Sequence, residues 1–398
     1  MENWHLARNF RYAGVHCGVR PDAEPDRLDL ALIVSDVPAS AAGVFTQNRV
    51  VAAPVRVCRE RLPSNQTRGI VLCSGNANAC TGDQGMKDAR RMTHCAAEPL
   101  GLRAEQMLVC STGVIGRLLP IPHLEKGIAR AVRELAAGAE ALERAARAIL
   151  TTDTHIKVST REVALAGQTI RLTGFAKGAA MIGPNMATML AVVLTDAAVS
   201  REDLAELAPR AAHVSFNCIS VEGHTSTNDS LIFLANGAGP KLQGDALRTF
   251  EAQAIAVCVD LAREIAADAE GASHFVTIDV EGLRDDDEAR RVAKAVAESA
   301  LVKTALFGGD PNWGRIVSAA GYCGVVFEET QMSLWLGGFM LYQAGTPLPF
   351  DAKAVSDYIK GHRDLHVRLE FTLGQGRCTF YTCDLTHDYV SLNADYTT

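Results

Sequence analysis

Apolar and polar positions alternate or cluster along the chain in a way that separates short strand-like runs from longer helical ones. Strand-like runs dominate the N-terminal part, at 28–34, 43–46, 50–57 and 69–73. Residues 84–100 then read as a helix, followed by a short apolar strand at 107–110. The alanines, leucines and mixed charges of 124–149 suit an amphipathic helix or helix pair, with Gly138 as the break. Further strands are expected at 168–175, 190–195 and 230–235. Ser200, three residues before Asp203, marks a helix start, and 246–268 is a second long helix. Residues 274–280 alternate like a half-buried strand.

The charged stretch 284–288 marks a seam between larger units. Beyond it, 288–301 and 351–362 read as helices, whereas 330–341 and 366–385 are strand-rich, with Gly374-Gln-Gly376 as a hairpin turn. Residues 389–396 alternate like a strand that continues into a docking segment. Strands and helices follow one another without a regular βαβ rhythm. This predicts an α/β fold, a layered mixed-sheet sandwich, with an α+β domain over 283–398.

Composition narrows the class. A chain of 398 residues suggests two or three packed units, and 48% hydrophobic with 21% charged residues is typical of a soluble globular protein. The net charge of −7, with no Lys/Arg clusters beyond Arg90-Arg91 and Arg290-Arg291, argues against a nucleic-acid partner. No apolar core follows the N-terminus and no apolar stretch reaches about 18 residues, so neither a secretory signal nor a membrane span is expected. The 11 cysteines are dispersed without a CxxC pair or a His/Cys cluster. They read as reduced thiols of a cytoplasmic protein, with no metal site.

The segment 177–190, KGAAMIGPNMATML, carries the most chemistry. It is apolar and compact, yet suits neither helix nor strand, so it is expected to fold inward between two strands. A strained turn there would present the Thr188 hydroxyl to the Ala187–Thr188 peptide bond. An N-to-O acyl shift and hydrolysis would then free a chain beginning with Thr188, whose α-amine serves as its base. An ordinary buried connection fits the same composition.

Other stretches read structurally when taken alone. Cys73–Gly82 and Ser111–Gly116 are turns at strand ends, although the small hydroxyl and backbone N–H of Thr112-Gly113 suit a developing oxyanion. Thr151-Thr-Asp-Thr154 terminates the helical region, and Val221–Asp229 is a polar loop. Glu270-Gly271 closes the long helix with a glycine cap, and Gly308–Arg315 is a turn that packs Trp313.

From Gly43-Val-Phe-Thr-Gln-Asn48 to the last residue, the motifs SGNANACTG, STGVIG, TTDT, KGAAM with ATML, GHTSTND and GDPNWGRI stand in the order of one family. The chain resembles the ornithine acetyltransferases, the glutamate N-acetyltransferases of arginine biosynthesis. The resemblance implies an N-terminal-nucleophile-like αββα sandwich. It implies cleavage into an α chain (1–187) and a β chain (188–398), assembled as α2β2. Thr188 would be the nucleophile, with Thr112 and Gly113 as the oxyanion hole. Thr151, Lys177, Thr188, Glu270, Asn393 and Thr398 would contact substrate, the last two from a tail that often belongs to the partner protomer.

The implied reaction moves acetyl from N2-acetylornithine to glutamate through an acetyl-Thr188 ester, with ping-pong kinetics and no metal or prosthetic group. It admits acetyl-CoA as a second acetyl donor. Three departures stand out: Ala180 replaces the usual glycine, His224 the usual aspartate, and Ser273-His274 a Thr-Lys pair. The Cβ of Ala180 is expected to hinder a turn that needs positive φ and to slow cleavage. The alternative readings are an N-terminal-threonine aminopeptidase or amidohydrolase, and an uncleaved, non-catalytic relative.

Overall fold

The structure, a computed structural model, describes residues 4–20, 27–165, 167–183 and 189–395. One sheet comprises β1 (Phe10–Val15), β2 (Leu30–Phe45), β3 (Ser64–Asn76), β4 (Met107–Val114), β5 (Lys157–Leu165), β6 (Gln168–Lys177), β7 (Leu190–Thr195) and β8 (Ser230–Ala235). Its order is β4-β3-β2-β8-β7-β6-β5, with β1 also paired to β2. Six helices belong to this part: α1 (Ala53–Arg61), α2 (Gly82–Ala97), α3 (Ile121–Arg133), α4 (Ala139–Ala148), α5 (Arg201–Val214) and α6 (Gly244–Ala267).

The 16-residue β2 spans both halves of this sheet. Its first residues pair with β1 and β3 and its last with β8, with register shifts between Val34 and Ala41. Side-chain alternation then sets the layers. Ala31, Ile33, Ile70, Leu72 and Leu108 share one core with Phe175, Val192, Leu194, Ile232 and Leu234, so the two halves of the sheet face each other. Their neighbours point outward. Leu32, Val71 and Val109 pack on Met92 of α2 and Leu124 of α3, whereas Val193, Leu231 and Phe233 pack on Leu207 of α5 and Leu261 of α6. The result is a helix–sheet–sheet–helix sandwich, with α1 and α4 inserted beside the central core through Val55 and Leu142.

A second sheet follows, built from β9 (Phe275–Leu283), β10 (Met332–Leu336), β11 (Phe339–Gln343), β12 (Thr346–Pro347), β13 (Asp364–Phe371) and β14 (Gly376–Cys383). Its order is β12-β11-β10-β13-β9-β14, and only β13 and β9 run parallel. Helices α7 (Asp286–Glu298), α8 (Ala300–Gly308), α9 (Trp313–Gly321) and α10 (Ala352–Gly361) contribute Val292, Val302, Ile316 and Ile359 to its core. The last helix is α11 (His387–Asp395). The second sheet joins the sandwich where Ser220 N–H donates to Tyr381 O at 3.0 Å.

Several expectations are corrected. Residues 50–57 do not form a strand: Pro54 opens α1, because its fixed φ suits a first helical turn, and Val55, Val57 and Cys58 face inward from the helix. Residues 288–301 contain two helices, since the Ser299 hydroxyl accepts from Val302 N–H and starts α8. The seam stretch 284–288 opens α7 with Asp285 as its cap, while β9 already belongs to the second sheet. The segment from 389 is helical rather than extended, as the Thr386 hydroxyl accepts from Tyr389 N–H at 3.0 Å. The break at Gly138 is present, with a φ of 105 at the start of α4.

Candidate functional site

One cavity of about 140 Å³ is lined by Thr112, Gly113, Thr151, Lys177, Glu270 and Asn393, with Thr152, Met181, Ser226, Thr227 and Asn228. Six of the residues expected to act together thus converge, although they come from five separate segments. Ala187, Thr188 and Thr398 lie outside the described residues, as does the Ala187–Thr188 junction.

The strand ends supply one wall. β3 and β4 run parallel, with Gly75 opposite Gly113. Gly113 has a φ of 129, and a Cβ there would sit 2.3 Å from the Gly75 carbonyl carbon. Only glycine fits both constraints. The polar loop is tied to the same wall: Asn228 Nδ2 donates to Ala77 O at 2.6 Å and to Ser111 O at 2.8 Å. A stretch that reads as a surface loop is therefore buried from Ser226 to Ser230.

The opposite wall rests on a charge network that the sequence reading missed. The Asp153 side chain is fully buried and accepts from Gly178 N–H at 2.6 Å, Lys157 Nζ at 2.8 Å and Thr151 N–H at 3.1 Å. The first two donate to Oδ1, whereas Oδ2, which accepts from Thr151, lies 3.7 Å from Lys177 Nζ. Lys157 is also buried and donates to Asp268 at 2.6 Å. Burial opposes the ionised form of Asp153, but Lys177, Lys157 and the Gly178 amide outweigh it and hold the carboxyl far below its ordinary range. Burial pulls Lys177 below the ordinary lysine range, and Asp153 only partly restores it. One carboxylate thus fixes Thr151, Lys177 and the backbone entering the 178–183 turn. The i, i+4 spacing of Asp153 and Lys157 is no signal for this, because 151–156 is a turn leading into β5 rather than a helix.

Asp229 is a second missed group. It is fully buried, and Met189 N–H donates to its Oδ1 at 3.2 Å. Burial raises its carboxyl well above the usual range, and the Met189 amide and Lys177 offset this only in part.

The rim is built by α11. Asn393 Nδ2 donates to Glu270 Oε2 at 2.9 Å, and Glu270 N–H donates to Ala179 O at 2.9 Å. The helix α6 ends at Ala267, so Gly271 is not its cap. Gly271 instead has a φ of 69 and allows close approach of Tyr389, whose backbone nitrogen would lie 2.5 Å from an added Cβ.

The expected strain at Ala180 is also corrected. The left-handed residue of this turn is its neighbour Met181, with a φ of 58, so a Cβ at Ala180 meets no such restriction. His224 is exposed and does not line the cavity. The Gly308–Arg315 motif lies in the second unit, where Trp313 stacks on Tyr342 at 5.5 Å.

A layered sandwich whose strand ends and turns deliver a buried lysine, a carboxylate and small hydroxyls to one cavity defines an enzyme site for a small charged molecule. The sequence profile of the ArgJ family matches residues 11–398. An arginine biosynthesis bifunctional protein ArgJ from Geobacter sulfurreducens is 46% identical over 395 residues, covering 98% of this chain and 99% of its own. The crystal structure of such a protein from Bacillus halodurans is 34% identical over 50% of this chain and 96% of that one, with a TM-score of 0.49. That of an ornithine acetyltransferase from Mycobacterium tuberculosis, complexed with ornithine, is 33% identical over 46% of this chain and 94% of that one, with a TM-score of 0.40.

The chain belongs to the ArgJ family. It is an acyltransferase of arginine biosynthesis, of the ornithine acetyltransferase type.

Proposed function

We propose that the protein transfers acetyl from N2-acetylornithine to glutamate through an ester on Thr188, after cleaving itself between Ala187 and Thr188. The observation that carries this reading is the convergence of Thr112, Gly113, Thr151, Lys177, Glu270 and Asn393 on one cavity. The chain re-enters the described residues at Met189, whose N–H is held by Asp229.

In this reading the Thr188 Oγ attacks the acetyl carbonyl, and its proton passes to the Thr188 α-amine. The Thr112 hydroxyl and Gly113 N–H stabilise the oxyanion. Collapse breaks the amide bond, and the ornithine amine leaves with the proton. The glutamate amine then attacks the ester and regenerates Thr188. Lys177 holds the substrate carboxylate, while Glu270, oriented by Asn393, holds its ammonium group. Thr151 and Thr398 add polar contacts. The chains 1–187 and 188–398 assemble as α2β2 in the cytoplasm, and acetyl-CoA serves as a second donor in a bifunctional enzyme.

Intact mass and kinetics test this. Wild-type protein should run as two chains, the second beginning at Thr188, and Thr188→Ala as one. Incubation with N2-acetylornithine alone should acetylate the second chain, and added glutamate should remove the acetyl as N-acetylglutamate. A folded wild-type protein that stays uncut, or an acetyl group released only as acetate, would overturn the reading.

A further inference from the structure

Cys218 and Cys378 place their sulfurs 3.8 Å apart at the junction between the sandwich and the second sheet, although 160 residues separate them. Cys218 ends a short turn after α5, and Cys378 lies in β14. Both line a cavity of about 580 Å³ with His213, Arg290, Arg377 and Tyr381. This cavity shares no lining residue with the substrate cavity.

The setting distinguishes this pair from the other thiols. Cys58 and Cys110 also interact, but both are buried in the core between the facing sheet halves. Cys80 is exposed. At the junction, Cys378 is half-buried, and Arg290 lies close enough to favour an anionic sulfur on either cysteine. Among the described residues, the buried Arg290 Nε has no hydrogen-bond partner. The Cys378 thiol and the Arg290 cation together draw Cys218 below the usual thiol range against the effect of burial.

We propose that Cys218 and Cys378 form a modification site, a dithiol that a small peroxide oxidises to a disulfide. The Cys218 thiolate attacks one peroxide oxygen, forming an S–O bond as the O–O bond breaks and hydroxide leaves. The Cys378 sulfur then attacks the resulting sulfenic acid, forming the S–S bond and expelling the hydroxyl, which leaves as water with a thiol proton. In total two thiols lose two electrons and two protons, and one hydrogen peroxide becomes two waters. The sulfurs must close by roughly 1.8 Å to reach a bond of about 2.05 Å. The link joins β14 to the turn four residues ahead of Glu222, whose backbone N–H, with those of Val221 and Gly223, donates to Ile182 O.

The test treats the full-length protein with hydrogen peroxide, alkylates free thiols and maps peptides without reduction. The expected result is a Cys218–Cys378 linked peptide, lighter by two hydrogens and released by dithiothreitol. Phenylarsine oxide, which bridges two sulfurs, should bind native protein at this pair and lose that binding in both Cys218→Ser and Cys378→Ser. Recovery of both cysteines as separately alkylated thiols, of Cys378 as a sulfinic or sulfonic acid, or of links to other cysteines instead would overturn the proposal.

Discussion

Asn393 on α11 donates its side-chain amide to Glu270 at 2.9 Å, so a helix near the end of the chain sets the orientation of a carboxylate on the turn after α6. Gly271 next to it permits the Tyr389 backbone to pack against that turn. Turn and helix therefore act as one structural piece at the cavity rim.

Two variants of this rim follow. Glu270→Ala should raise KM for N2-acetylornithine, since a charge-assisted hydrogen bond contributes about 2–3 kcal/mol, or roughly 30- to 150-fold. Deleting 393–398 should leave the sandwich folded but open the site to water, raising the ratio of acetate to N-acetylglutamate formed. Steady-state kinetics and product analysis read both; unchanged constants would remove the rim from the substrate site.

Asp153→Asn should be the most damaging single change to the network. It leaves Lys157 and Lys177 buried with less compensating charge, a loss of about 3–5 kcal/mol in a denaturant melt. Lys177 loses the carboxylate that raises its pKa, so the alkaline limb of the KM profile should move to lower pH. A variant with wild-type stability and an unmoved limb would contradict the assigned role.

Gly113→Ala tests the strand end. The added methyl meets the Gly75 backbone, and φ of 129 is strained for alanine. If this wall holds the oxyanion as proposed, a displacement of about 1 Å is expected to cost on the order of 100-fold in kcat/KM. Gly116, three residues on, has positive φ but nothing within 4 Å of its Cβ position, and Gly116→Ala should retain most activity. Equal kinetics for the two variants would place the oxyanion wall elsewhere.

Glu222 sets a pH dependence of stability. Burial pushes its carboxyl up to about 7, and Lys303 with the Ile182, His224 and Met181 amides offsets this only in part. Neither oxygen has a well-formed hydrogen-bond partner. The folded state thus keeps a proton that the unfolded chain gives up near an ordinary glutamate pKa. Its favourable contribution is complete below about pH 4 and is lost as pH rises through 7, on the order of 3 kcal/mol in all. Glu222→Gln should abolish that part of the decline between pH 5 and pH 8, measured as the difference in unfolding free energy. An identical decline in wild type and variant would show that Glu222 carries no such proton.

Much of the architecture is legible locally. β7 and β8 occupy the residues that their apolar runs indicate, Gly138 separates α3 and α4, and the Ser200 hydroxyl caps α5 through Asp203 N–H. These features depend on neighbours within a turn or on side-chain alternation, which a linear pattern records. Motif order likewise pointed to Thr112, Gly113, Thr151, Lys177, Glu270 and Asn393, the residues that meet in the cavity.

Other features depend on contacts across the chain. The valines of 50–57 look strand-like, yet Pro54 and an inward-facing stripe make them a helix. Lys157 finds Asp268 111 residues away, and Asn228 reaches Ser111 across 117. By itself the sequence determined the element types set by short-range pattern and the chemical groups available to the site. Only the tertiary structure decided which polar groups are buried and with what partners. A carboxylate such as Asp153 becomes a fixed, ionised anchor once folding removes water from it and brings two lysines from adjacent strands into contact.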